Sequence, residues 1–284
     1  MVRAVQPENE SPNTQGKKKE PTKQQEVSII NPDDDVEFSI DFEGDDGVGI
    51  GLRGEVSKNA KGGTELMKDW LFRELEKREP GLKDKFQFIM TRVRELEPKQ
   101  RILWVHDLAS DPEVQHLKDE KSWDQFERLI FVSHWQQYQF HAYLGVPYDR
   151  GIVIQNSITP LPDHKKPKDD KIRVCYFSTP HRGLEVLLNA WEFMRKNLQS
   201  GLNAELDIYS SFKIYDRPHM DEQYRHVYKK AEDLNSVNYN GTVSNEVIRE
   251  ELQRNHIFAY PSTYIETACI CAIEAMSAGC LCVV

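Results

Sequence analysis

Apolar and polar positions along the chain alternate between two periods, and the alternation itself is the first result. Short apolar runs with period two or full burial occur at residues 86–91, 101–105, 129–133, 151–155, 172–177, 205–209, 237–239, 257–260 and 280–284. They read as strands. Between them lie segments with helical spacing. Leu66, Trp70, Leu71 and Leu75 share one face, with Thr64 as the expected N-cap; Leu184, Leu187, Leu188, Trp191 and Met194 share another. Further helices are expected at 123–127, 135–144, 183–198, in the second half of 213–234, and at 247–252. Gly145-Val-Pro147 is a helix stop. Strands alternating with helices at this spacing predict a parallel, doubly wound sheet. The pattern restarts at Ile172, so two Rossmann-like α/β domains facing a cleft are expected.

Composition divides the rest. Residues 1–35 are rich in Pro, Gln, Glu and Lys and poor in apolar side chains, which predicts a disordered tail. An alternating strand is expected at 36–42, within a first domain spanning 36–160. The Pro- and Lys-rich stretch 161–171 is the expected linker, and 172–284 the second domain. That domain stops inside an apolar strand, so it is expected to be incomplete at its C-terminal end. No apolar run reaches the roughly 20 residues of a membrane span, and the start of the chain lacks a signal peptide's apolar core. A cytoplasmic protein is the expectation. The net charge of −9 argues against a nucleic-acid partner.

Candidate chemistry concentrates in one block, Pro261 to Gly279. Glu266 and Glu274 are eight positions apart, bridged by Thr-Ala-Cys-Ile-Cys-Ala-Ile. Strand, turn and helix signals place Glu266 in a loop before a helix and Glu274 about two turns into it. Such a loop lies at the carboxyl edge of the strands, where α/β sheets bind ligands. Cys269, Cys271, Cys280 and Cys282 raise a zinc reading, but one-residue spacing is short for zinc and the first pair would diverge on a helix. Packing as small apolar side chains is preferred, and no metal is expected. Gly49-Ile-Gly51-Leu-Arg-Gly54 matches G-x-G-x-x-G but opens no periodic helix, which weakens a dinucleotide reading. Gly62-Gly63 does precede a helix, where backbone N–H groups approach an anion.

The Glu266–Glu274 block resembles the nucleotide-sugar site of retaining glycosyltransferases of family 4, which have the GT-B fold. Their signature is two glutamates separated by seven residues, then Ala-Met-Ala-x-Gly. Glu266, Thr267, Ala272 to Met276, Ala278 and Gly279 match it, while Ala268 and Cys269 stand where Phe and Gly are usual. Ser133, Gly145 to Pro147, Val153, Ile154 and Asn156 are similar to the end of the family's first domain. The resemblance implies sugar transfer from a nucleotide-diphosphate sugar to a hydroxyl, with retention of anomeric configuration and no resident cofactor or metal. The partners it implies are that donor and a glycan, lipid or small-molecule acceptor, the lipid case adding peripheral membrane contact. By the same resemblance, Arg182-Gly183 stands where the family has Lys-Gly and would contact the diphosphate. Glu266 would hold hydroxyls of the transferred sugar and Glu274 those of the ribose. The backbone of Ala268 and Cys269 would add to phosphate binding. His106 would face the sugar, its alternative being an ordinary surface histidine. A non-catalytic nucleotide-sugar-binding or interaction domain, a dehydrogenase and a paired-carboxylate glycoside hydrolase are the competing classes.

Overall fold

A computed structural model describes residues 62–197 and 202–284. The expected tail, the strand at 36–42 and the Gly49–Gly54 loop lie outside the described residues. In chain order the elements are α1 (Gly63–Arg78), α2 (Leu82–Lys85), β1 (Phe86–Met90), β2 (Gln100–Val105), α3 (Glu120–Trp123), β3 (Arg128–Phe131), α4 (His134–Leu144) and β4 (Gly151–Val153). Then follow β5 (Ile172–Phe177), α5 (Leu184–Asn197), β6 (Ala204–Tyr209), α6 (Arg225–Asp233), β7 (Val237–Tyr239), α7 (Asn245–Leu252), β8 (Ile257–Ala259), α8 (Ile270–Ser277) and β9 (Leu281–Val283).

These strands form two parallel sheets. The first runs β1-β2-β3-β4 without reversal. The second runs β7-β6-β5-β8-β9, so the chain winds one way from β5 to β7 and then restarts on the other side at β8. The crevice between the ends of β5 and β8 is therefore a topological switch point, the place where open α/β sheets bind ligands.

Burial follows the periodicities. Leu184, Leu187, Leu188 and Trp191 form the inward stripe of α5. Ala204, Leu206 and Ile208 alternate inward along β6. Both pack into one core with Tyr176, Phe258 and Leu252. The first sheet has its own core around Leu103, Phe131 and Phe140. A third cluster joins the two halves: Met67 of α1 with Trp104, Ile130 and Val132, against which Ala268 and Ile270 pack.

Two local expectations are corrected. Thr64 is not an N-cap: the cap is Gly62, and no side chain caps the helix. A Cβ on Gly62 would stand 2.3 Å from Tyr215 Cε1, so the helix starts early to let its backbone reach the second sheet's side chains. The short helix expected at 123–127 is at Glu120–Trp123, because the Asp119 carboxylate accepts from Lys121 N at 3.0 Å and starts the turn sooner. Residues 154–171 contain no helix or strand, yet they do not hang free. Leu161 N donates to Ser277 Oγ (3.1 Å), His164 Nε2 lies 3.0 Å from Ala278 O, and Lys166 Nζ donates to Leu252 O (2.7 Å).

Candidate functional site

The strand ends at the switch point set the site. After β5 the chain turns through Ser178–Gly183, and Tyr176 Oη donates to Thr179 O at 2.7 Å to fix that turn. Gly183 has φ +96°, and a Cβ there would fall 1.9 Å from Pro261 O. Only glycine lets this turn press against the segment leaving β8. Arg182 is thereby delivered to Glu266.

The two groups form an ion pair between Arg182 Nη1 and Glu266 Oε1. Tyr260 Oη donates to the same carboxylate oxygen at 2.6 Å. The guanidinium carbon lies 4.4 Å from the Tyr264 ring centre, a cation–π contact. Burial disfavours the Arg182 charge, but Tyr215, Glu266 and Tyr260 around it more than offset that. Arg182 Nε and, three residues earlier, Thr179 Oγ1 are buried with no hydrogen-bond partner.

Glu274 is placed as its spacing implies, on α8, but it does not share Arg182. Arg249 of α7 approaches it instead, Nη1 to Oε1 at 3.5 Å. Burial raises the Glu274 pKa and Arg249 works against that rise. The two carboxylates thus have separate cations. Glu274 lines a pocket of about 100 Å³ together with Gly62, Gly63, Tyr215, Ile270 and Cys271. A drug-sized ligand needs roughly 300 Å³ or more, so this pocket would have to widen to hold one.

The loop carrying Thr267 and Ala268 is held from the first sheet by three hydrogen bonds. Ser133 Oγ donates to Thr267 O (2.7 Å), Thr267 Oγ1 donates to His106 O (3.2 Å), and Asn156 Nδ2 donates to Ala268 O (3.3 Å). Ser133 also caps α4, accepting from Gln136 N at 3.1 Å. His106 is not a surface histidine. Its Nε2 is sealed from solvent without a partner, and burial holds its pKa down to about 4, so the ring is neutral. Asp107 beside it is lifted to about 7, first by burial and then by Asp111, with Arg92 opposing at 3.9 Å.

All five cysteines belong to the core of the second sheet. All five are free thiols, with Cys269 at the N-cap of α8 and Cys271 in its first turn. Among the described residues no group of three or more His, Cys, Asp or Glu is arranged to hold a metal.

Tyr260, Tyr264, Tyr215 and Arg249 are site residues that sequence reasoning missed. Tyr260 had a usable signal, since it ends the β8 run just before Pro261. Arg249 had none, being one charged position on a short amphipathic helix.

Two parallel Rossmann-like sheets with a site at the second sheet's switch point define the GT-B architecture. Residues 161–284 match the family described as Glycosyl transferases group 1. No curated protein matches the chain. Among solved structures, the chain is similar to a glycosyltransferase from Rickettsia africae at 10% identity and TM-score 0.51, covering 78% of this chain and 60% of that one. It is also similar to Anabaena Alr3699/HepE in complex with UDP and glucose, at 18% identity and TM-score 0.48, covering 65% and 52%. The chain thus spans about half the length of the latter. Among the described residues no helix is long and apolar enough to cross a membrane.

Proposed function

We propose that this chain carries the donor-binding part of a retaining glycosyltransferase that moves a sugar from a nucleotide-diphosphate sugar to a hydroxyl acceptor. The observation that carries the reading is the placement of Arg182 and Glu266 on either side of the switch point between β5 and β8. The family match over the same half of the chain supports it.

In this reading the diphosphate takes Arg182 as a fork-binding cation, with the backbone of Gly62, Gly63, Ala268 and Cys269 nearby. Glu266, released from its ion pair, accepts hydroxyl donors of the sugar. Glu274 accepts those of the ribose. Neutral His106 faces the sugar and presents a hydrogen bond without adding charge. The sugar–oxygen bond to phosphate breaks, the acceptor oxygen bonds to the anomeric carbon, and the acceptor proton leaves with the nucleoside diphosphate. Arg182 stabilises the charge that grows on the leaving phosphate, the largest service such a site offers. The chemistry asks for no metal. The acceptor is a glycan, lipid or small molecule, and the reaction is placed in the cytoplasm.

Titration calorimetry with UDP, GDP and ADP tests this. One diphosphate is expected to bind, and Glu274→Ala to weaken it. Sugar transfer or donor hydrolysis should be lost in Glu266→Ala. Tight NAD binding with none of the three diphosphates would overturn the assignment.

A further inference from the structure

Arg249 lies outside the family signature, and its position is unusually constrained. It projects from α7, a helix that begins at the Ser244 cap, where Ser244 Oγ accepts from Val247 N. Its Nη2 donates to Thr159 O at 2.7 Å and to Pro160 O at 3.3 Å. Its Nη1 stands 3.5 Å from Glu274 Oε1. One planar, rigid fork therefore joins three pieces of chain: α7, the segment crossing between the sheets, and the carboxylate of α8.

The division of contacts matters. The short bonds are those to the two carbonyls, so the guanidinium is anchored by backbone and only leans on Glu274. The carboxylate is thus oriented but not consumed. Its side chain is 15% exposed and that of Arg249 23%. An acid pocketed against Ile270 and Cys271 would otherwise be free to rotate toward solvent, which would remove an acceptor for a ligand's paired hydroxyls. Lysine offers a point charge on a flexible stem and cannot serve both carbonyls and the acid with one plane.

We infer that Arg249 is a positioning residue that holds Glu274 aimed at the vicinal hydroxyls of a ribonucleoside diphosphate, with the crossing segment at Thr159–Pro160 as its anchor. This rests on the donor-site reading above and adds to it the residue that fixes Glu274. Arg249 acts through Glu274 and does not itself contact the ligand.

The test compares each ribonucleoside diphosphate (UDP, GDP, ADP) with its 2′-deoxy counterpart by calorimetry on the full chain. The wild type is expected to prefer the ribo form by about tenfold or more, the size of a hydrogen bond to a charged group. Arg249→Met should lower ribo-form affinity by a similar factor, leave deoxy-form affinity nearly unchanged, and so collapse the ratio. Arg249→Lys should recover part of it. If the methionine variant keeps the wild-type ratio while melting at a lower temperature, Arg249 is only structural and the inference fails, with the donor site intact. If it fails to fold, Arg249→Gln carries the test, and an unchanged ratio there has the same meaning. If no diphosphate binds the wild type, the donor-site reading and this inference fall together.

Discussion

Replacing Gly183 by alanine tests the geometry that delivers Arg182. Two penalties can be worked from the structure. The backbone φ of +96° is a conformation that an L side chain occupies at about 1–3 kcal/mol. The new Cβ would also stand 1.9 Å from Pro261 O, so to reach a tolerable carbon–oxygen distance of about 3.3 Å the carbonyl must retreat by about 1.4 Å. Overpacking of this kind adds about 1–3 kcal/mol. Together they predict a loss of about 2–6 kcal/mol, which for a domain of this size lowers the melting temperature by roughly 4–24 °C. Two controls separate the terms. Gly145 has φ +74° with open space around its Cβ position, so Gly145→Ala carries the backbone cost alone, about 1 kcal/mol. Gly81 has φ −72° and equally open space, so Gly81→Ala should be neutral or slightly stabilising. Differential scanning calorimetry of the three variants should rank them 183, 145, 81. A Gly183→Ala midpoint within 3 °C of Gly145→Ala, an interval equal to about 1 kcal/mol here, would refute the claim that this turn is pressed against the segment leaving β8.

Other outcomes follow from the same geometry. Ser133→Ala removes both the α4 cap and the bond to Thr267 O, and urea titration should show a loss of about 1–3 kcal/mol; a change under 0.3 kcal/mol would contradict the bridging role. Arg182→Met and Glu266→Gln should each destabilise, by about 1–3 kcal/mol for a partly buried pair, with the double variant costing less than the sum; strict additivity in the cycle would mean the ion pair contributes nothing. His106 and His181 are both held near pKa 4 by burial, below the usual 6.5, so the stability they contribute is complete above pH 6.5 and is lost as pH falls toward 4. Asp107, raised from 3.8 to about 7, has the opposite sign across pH 7 to 4. Asp107→Asn should therefore steepen the acid loss of stability between pH 7 and 5, by up to about 1 kcal/mol per pH unit, and a shallower acid limb would contradict the assignment.

Elements whose signal is local were legible in the chain. Ile172–Phe177 and Val237–Tyr239 coincide with their expected strands, and the Gly145 stop ends α4 with φ +74°. The Glu266 loop and the Glu274 helix position followed from turn and helix signals around a strand. What was not legible depends on distant partners. Nothing near Gly62 in sequence shows that Tyr215 will crowd it, so Thr64 looked like the better cap. Glu266 and Glu274 differ in local context along the chain, but only the fold assigns one to Arg182 and the other to Arg249.

The expected linker at 161–171 is fastened along its length: Leu161, His164 and Lys166 are all hydrogen-bonded to α7, α8 or the turn beyond it. Thr159 and Pro160 are held by Arg249, Asn156 by Ala268 O, and Ile154 N by Phe131 O at 2.9 Å. A crossing stretch with this many anchors behaves as a packed part of the molecule, so a substitution that loosens it is felt at the helices carrying Arg249 and Glu274 and not only in the connection itself.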